Sequence, residues 1–282
     1  MSVNFTINRP LLLDAKVIED EEEGTFEGFY CLQIGAKFRS LHIGSGLYTR
    51  ETLLSPPPAL FLELEYDRNR TEAAILRSSE IPIYFNSPLE GVSNSWHDTR
   101  VEYQNLEIVK QLTSTTFETI PHSDLLPPGA VFAKICFFYE WLDVMEQETR
   151  AYELLKDTGV TPRFLGHIHQ HGSVIGFLLE RVEGRPPSVQ DQDACEAALQ
   201  KVHELGVAHG YIKLSDFLVT GEGVKIIEFA RFRENASRKS LRKESRRLRA
   251  MFSKLASQGT GKRTTPGTTT LIERPKKRRK YN

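Results

Sequence analysis

The sequence predicts an α+β fold, on three observations. β-branched and aromatic runs of strand length crowd the first two-thirds of the chain, amphipathic helical stretches separate the later runs, and no apolar run approaches the ~20 residues that span a bilayer. At 282 residues, 39% hydrophobic and 26% charged, the chain is long enough for one or two domains with sizeable cores. Cys31, Cys136 and Cys195 are odd in number and scattered, which excludes a disulfide framework and a zinc motif and suits a reducing compartment. The N-terminus offers a short apolar triplet with no basic stretch before it, so no secretory signal is expected. These features predict a nuclear or cytoplasmic protein with no membrane partner.

Residues 1–103 read as a mixed, strand-leaning region of unknown role. "FYCLQIGAKF" (29–38) and "ALFLELEY" (59–66) are the clearest strands, the second alternating through Leu60, Leu62 and Leu64. "SPPP" at 55–58 breaks the chain. "HIGSGLYTRETLL" holds two glycines without the fuller pattern of a nucleotide loop and reads as a turn.

The pattern sharpens over residues 104–256. "LEIVKQL" and "TFETI" pair as a hairpin around "TSTT", and "LPPG" makes a turn. "AVFAKICFF" is a buried strand by its β-branched and aromatic content. Lys134 sits inside that apolar run, and a charge there requires a partner. "WLDVMEQETRAYELLKDTG" is a helix with Trp141, Met145, Tyr152 and Leu155 near one face and Gly159 placed to end it. "IGFLLERVEG" is a strand running into a loop. "DQDACEAALQKVHELG" is a second amphipathic helix, its stripe Ala194, Ala198, Val202 and Leu205, followed by Gly206. "GVKIIEFA" is a short apolar strand. One more helix is expected at "SLRKESRRLRAMFSKLA", with a broken stripe of Leu241, Leu248, Met251, Phe252 and Leu255.

Charge divides the chain. From Arg231 onward there are 18 Lys/Arg against 3 Asp/Glu, whereas the preceding 230 residues hold 19 against 34. Residues 257–282 form a low-complexity basic tail expected to be disordered. It ends in the consecutive cations Lys276, Lys277, Arg278, Arg279 and Lys280, a nuclear localisation pattern or a patch for non-specific nucleic-acid binding.

The order of hairpin, strand, helix, strands, helix, loop and strand, together with "VFAK", "ETRAYELL", "FLLERVEG", "HGYIKLSDFLV" and "EFA", resembles the protein kinase-like superfamily. The likeness is closest to small atypical kinase-like proteins of fungi with a short C-terminal lobe and an "HGD" catalytic loop. It implies a two-lobed fold and ATP with Mg²⁺ as cofactors. Lys134 is then the phosphate-gripping lysine. Glu148 is its helix partner, one turn before Tyr152, with Glu146 the second choice. Leu179, Glu180, Arg181 and Val182 form the hinge, with Glu180 and Val182 at the nucleotide. His209 is the structural loop histidine, Lys213 the retained loop lysine, and Asp216 and Glu228 the metal holders.

The departures decide the expected activity. Tyr211 stands where the family has its catalytic aspartate, and a phenol of pKa near ~10 is no ready base at neutral pH. Losing a positioned base costs ~10²- to 10⁴-fold in rate. Glu228 replaces an aspartate, adding a methylene that Mg²⁺ geometry tolerates poorly. Ala230 replaces a glycine, and "KQLTSTTFETI" lacks the glycines of a phosphate-covering loop. The leading expectation is a pseudokinase acting as a nucleotide-binding or scaffold module with an unidentified protein partner. A weakly active atypical protein or small-molecule kinase and a non-enzymatic nuclear protein tethered by its tail are the alternatives.

Overall fold

The computed structural model describes residues 10–20, 23–34, 37–57, 61, 72–75, 83–85, 91–136, 141–170 and 172–258. They form a mixed α+β protein of two compact units. One is Met1–Glu90 with Phe137–Tyr139, the other Gly91–Cys136 with Glu140–Asn282.

The first unit carries a sheet in the order β1-β2-β3-β4-β5, made of β1 (Leu11–Asp20), β2 (Thr25–Ile34), β3 (Lys37–Ile43), β4 (Glu72–Ile75) and β5 (Ile83–Phe85), and a short helix α1 (Arg50–Leu54). β1 is the element the sequence pattern hides, because Asp14, Lys16, Glu19 and Asp20 interrupt its apolar residues. It pairs antiparallel with β2 from Leu11↔Gln33 to Asp20↔Thr25, with a bulge between Leu12 and Asp14. The expected strand at 29–38 divides between β2 and β3, which pair antiparallel. Tyr30, Leu32, Leu41, Ile43 and Leu53 bury this unit's core, and the Tyr30 hydroxyl donates to the Leu53 carbonyl at 2.7 Å. Of the strand expected at 59–66, only Phe61 is among the described residues, and it is buried.

The second unit carries a six-stranded sheet in the order β6-β10-β11-β9-β8-β7. Its strands are β6 (Arg100–Glu102), β7 (Leu106–Gln111), β8 (Thr116–Pro121), β9 (Val131–Ile135), β10 (Phe164–Gln170) and β11 (Ser173–Leu179). β6 runs parallel to β10, and the other pairs are antiparallel. Helix α2 (Leu142–Leu155) lies between β9 and β10 in sequence. Helix α3 (Gln192–Glu204), the hairpin β12 (Phe217–Thr220) and β13 (Gly223–Ile226), and helix α4 (Arg238–Gln258) follow. The β7–β8 hairpin forms around "TSTT" as expected, with Leu112 N–H donating to the Thr116 carbonyl at 2.9 Å.

The unit begins at Gly91, ahead of residue 104. Two contacts explain this. Val92 N–H donates to the Val174 carbonyl of β11 at 2.8 Å, and the Trp96 indole donates to the Thr149 carbonyl of α2 at 3.1 Å.

One apolar core joins the sheet to the helices. α2 buries Met145, Tyr152 and Leu155, whereas Trp141 caps the helix and is exposed. α3 buries Cys195, Ala198, Leu199 and Val202. Ala194 and Leu205 of the expected stripe face outward, because the true stripe starts one residue later, about 100° around the helix. α4 docks through Leu248 and Phe252. Among the described residues no helix is long and apolar enough to cross a membrane. The basic run Lys276, Lys277, Arg278, Arg279 and Lys280 lies outside the described residues.

Candidate functional site

A cleft in the second unit has apolar walls formed by Thr116 of β8, Ala133 of β9, Leu179 and Val182 at the end of β11, and Leu218 and Ile227 around the β12–β13 hairpin. Lys134, Glu148 and Glu228 close its base. The space it offers is about 50 Å³, small beside the ~300–1,000 Å³ of ordinary ligand pockets.

The base is an ion pair held in the core. Lys134 Nζ lies 2.5 Å from Glu148 Oε1 and 3.5 Å from Glu228 Oε1. The Lys134 side chain is 11% exposed and that of Glu148 1%. Burial opposes the ammonium charge of Lys134, and the two carboxylates outweigh it, so its pKa is raised. Burial pushes the Glu148 carboxyl up, against the pull of Lys134 and of the Phe229 N–H. Glu146 plays a different part. Its two oxygens accept from the N–H groups of Ser93 and Asn94 at 2.7 and 2.8 Å, tying α2 to the segment that opens the unit.

A chain of rings leads from this pair to the loop after α3. Tyr152, one turn beyond Glu148, meets Phe177 of β11 at 5.4 Å between ring centres and Phe229 at 5.7 Å. Phe229 meets His209 at 4.9 Å. His209 is buried, and its Nε2 contacts the Ile227 carbonyl at 2.9 Å. Glu228 lies between Ile227 and Phe229 with φ 69°. That left-handed conformation costs a non-glycine residue about 1–3 kcal/mol and persists where the surroundings impose it, commonly at functional sites. Here it accompanies a carboxylate aimed at Lys134.

The loop itself is locked from behind. Glu244 of α4 accepts from His209 N–H at 3.1 Å and Gly210 N–H at 2.8 Å, and pairs with His203 Nε2 at 2.9 Å. Gly210 has φ 88°, and an added Cβ would run into the Arg231 carbonyl. Gly210→Ala is expected to cost about 2 kcal/mol or more, since left-handed strain and backbone overlap add. Chemical denaturation checks this, and an unchanged midpoint would contradict it.

Beyond Gly210 the loop turns away from the cleft. Tyr211 is absent from the cleft lining and lies among cations: its ring centre is 4.9 Å from Lys213 Nζ, 5.2 Å from the Arg231 guanidinium and 4.4 Å from that of Arg247. Asp216 is buried and accepts from Lys213 N–H at 2.9 Å and from the Ser215 hydroxyl at 3.2 Å. Burial raises its pKa, and Glu228 adds to the rise against His209 and Lys213.

Of the expected residues, Lys134, Glu148, Val182 and Glu228 meet at the cleft. Glu180 does not line it; its side chain accepts from Arg163 N–H at 2.8 Å and its own N–H donates to the Arg163 carbonyl at 2.9 Å. Lys213 faces Tyr211 instead of the cleft. Asp216 and Glu228 feel each other's charge, yet Asp216 is committed to its own loop and Glu228 to Lys134. Among the described residues no group of three or more metal-ligating side chains assembles. Sequence reasoning missed Thr116, Leu218 and Ile227, which carry no signature, and Glu244, whose signal was a lone acid in the run "RKESRR". No family model matches this chain, and no curated protein matches it significantly.

Proposed function

We propose that residues 91–258 are a kinase-like pseudokinase module that takes a nucleotide in the cleft without a metal and transfers its phosphoryl group little or not at all. The observation that carries this reading is the Lys134–Glu148 pair, with Glu228 beside it, at the base of a narrow apolar cleft. A buried ammonium already oriented by one carboxylate is suited to meet phosphate. The apolar walls, with Ala133 on one strand and Leu218 on the hairpin, suit a purine ring.

Transfer lacks its parts. Tyr211 stands in the base position and points among cations. Asp216 is buried in its own turn. The β7–β8 turn at Leu112–Thr115 has no glycine to bring its backbone close to phosphate. The weakly active kinase is the lesser reading, since it requires Asp216 and Glu228 to release their present partners and share Mg²⁺.

Thermal unfolding with ATP in EDTA, in Mg²⁺ and in Mn²⁺ tests the proposal. The expected result is a similar rise in Tm in all three, lost in Lys134→Ala; ligand at 100 times Kd adds about 2.7 kcal/mol. A rise that appears only with metal favours the active kinase. No rise in any condition overturns nucleotide binding.

A further inference from the structure

A second concavity lies beside the loop that carries Tyr211. This cavity of about 290 Å³ sits between α4 and the backbone at Gly210 and Ile212, and shares no lining residue with the cleft. Arg233, Lys243 and Arg247 converge on it, with Ser240 adding a hydroxyl. All three cations are solvent-exposed, and none makes an ion pair with another described residue. This contrasts with Arg249, on the same helix, which is paired to Glu196 at 2.7 Å. The acid in the lining, Glu244, is satisfied by His203, His209 and Gly210 and leaves the cavity positive. Arg247 also stacks on Tyr211, which draws Lys213 and Arg231 toward the same rim.

Three cations against the single carboxylate of Glu244 leave the lining net positive, and an anion that bridges them gains free energy. The concentration of charge around one compact cavity suits a doubly charged phosphate monoester better than the singly charged, evenly spaced phosphates of a nucleic-acid strand. Single-strand binders also need aromatic faces for base stacking, and no aromatic residue lines this cavity. The exposed cations let a chain approach from solvent.

We propose that this cavity binds a phosphorylated side chain of a partner protein, making the module a reader of phosphopeptides. Such binding is independent of nucleotide in the cleft.

Fluorescence anisotropy on the full chain tests it. The probes are a labelled Gly/Ser-spaced peptide with one phosphoserine, its unphosphorylated twin, and a labelled oligouridine RNA; inorganic phosphate serves as competitor. The phosphopeptide is expected to bind at least about tenfold more tightly than its twin. Phosphate at millimolar levels should displace it. Lys243→Ala with Arg247→Ala should weaken it about tenfold or more, while Arg249→Ala, on the same helix but outside the cavity lining, leaves it unchanged. Equal binding of the two peptides overturns the proposal, as does RNA binding tighter than the phosphopeptide and lost in the same double variant. Circular dichroism of the double variant separates lost binding from lost fold, and the exposed positions predict an unaltered spectrum. If both substitutions leave phosphopeptide binding intact, the site is elsewhere and the assignment fails.

Discussion

Glu148→Ala is expected to destabilise the second unit by about 3 kcal/mol, near the low end of the cost of breaking a buried ion pair. Lys134 remains after the change as a desolvated ammonium whose nearest carboxylate is Glu228, at 3.5 Å instead of 2.5 Å. Glu228 is itself about one-third exposed and held in a strained backbone, so it compensates only in part. The structure has little means of rescue. Lys134 projects from a central strand flanked by β8 and β11, where Thr116↔Lys134 and Phe177↔Lys134 fix the register. For a unit of this size about 3 kcal/mol lowers Tm by roughly 10 °C.

The double variant Lys134→Met with Glu148→Leu removes both charges and fills the space with apolar atoms. It is expected to recover most of the lost stability while binding no nucleotide. Thermal and urea unfolding of the parent, the singles and the double gives the coupling between the two residues. If Glu148→Ala unfolds like the parent, the pair contributes nothing and the cleft has no ionic base. If the double variant is as unstable as the single, the loss comes from packing, not from an orphaned charge.

The cleft is readable in the sequence where chemistry and periodicity coincide. A lysine in "VFAKI" demands a partner, and the kinase-like motif "ETRAYELL" points to Glu148 over Glu146, with helical phase giving weak added support. The structure adds the reason for the choice, since Glu146 holds Ser93 and Asn94. The hairpin at 106–121 is legible because its two runs and the "TSTT" turn between them are close in sequence. Features set by long-range packing are not. β1 reads as polar because its pairing with β2, not its own residues, makes it a strand. The stripe of α3 reads one residue early because small alanines on both faces blur the phase. Whether Tyr211 plugs the cleft depends on Arg231 and Arg247, which lie 20 and 36 residues further along the chain and gather around its ring.

Glu244 is hidden for a related reason. It occupies a buried position of α4 one turn before Leu248, where pattern reading expects an apolar residue. Its oxygens serve His209 N–H, Gly210 N–H and His203, and thereby join α4 and α3 to the loop that carries Tyr211. Glu244→Ala is expected to cost about 3–4 kcal/mol, since two backbone donors lose their acceptor at once and buried orphan donors cost about 1–3 kcal/mol each.

The pH dependence has a definite sign. Burial acts to raise the Glu244 pKa, but His203 and the two N–H groups outweigh it and the value is lowered. A lowered carboxylate pKa gives stability that is present above the unfolded value, ~4.3, and is lost as pH falls through the folded value. The parent should therefore lose more stability than Glu244→Ala on acidification below pH ~4.5, and the two unfolding curves should converge. Glu244→Gln keeps one acceptor oxygen without the charge, so it should fall between them and lack the acid-dependent component. Parallel stability–pH curves for parent and alanine variant would show that Glu244 is not the ionised anchor of the loop.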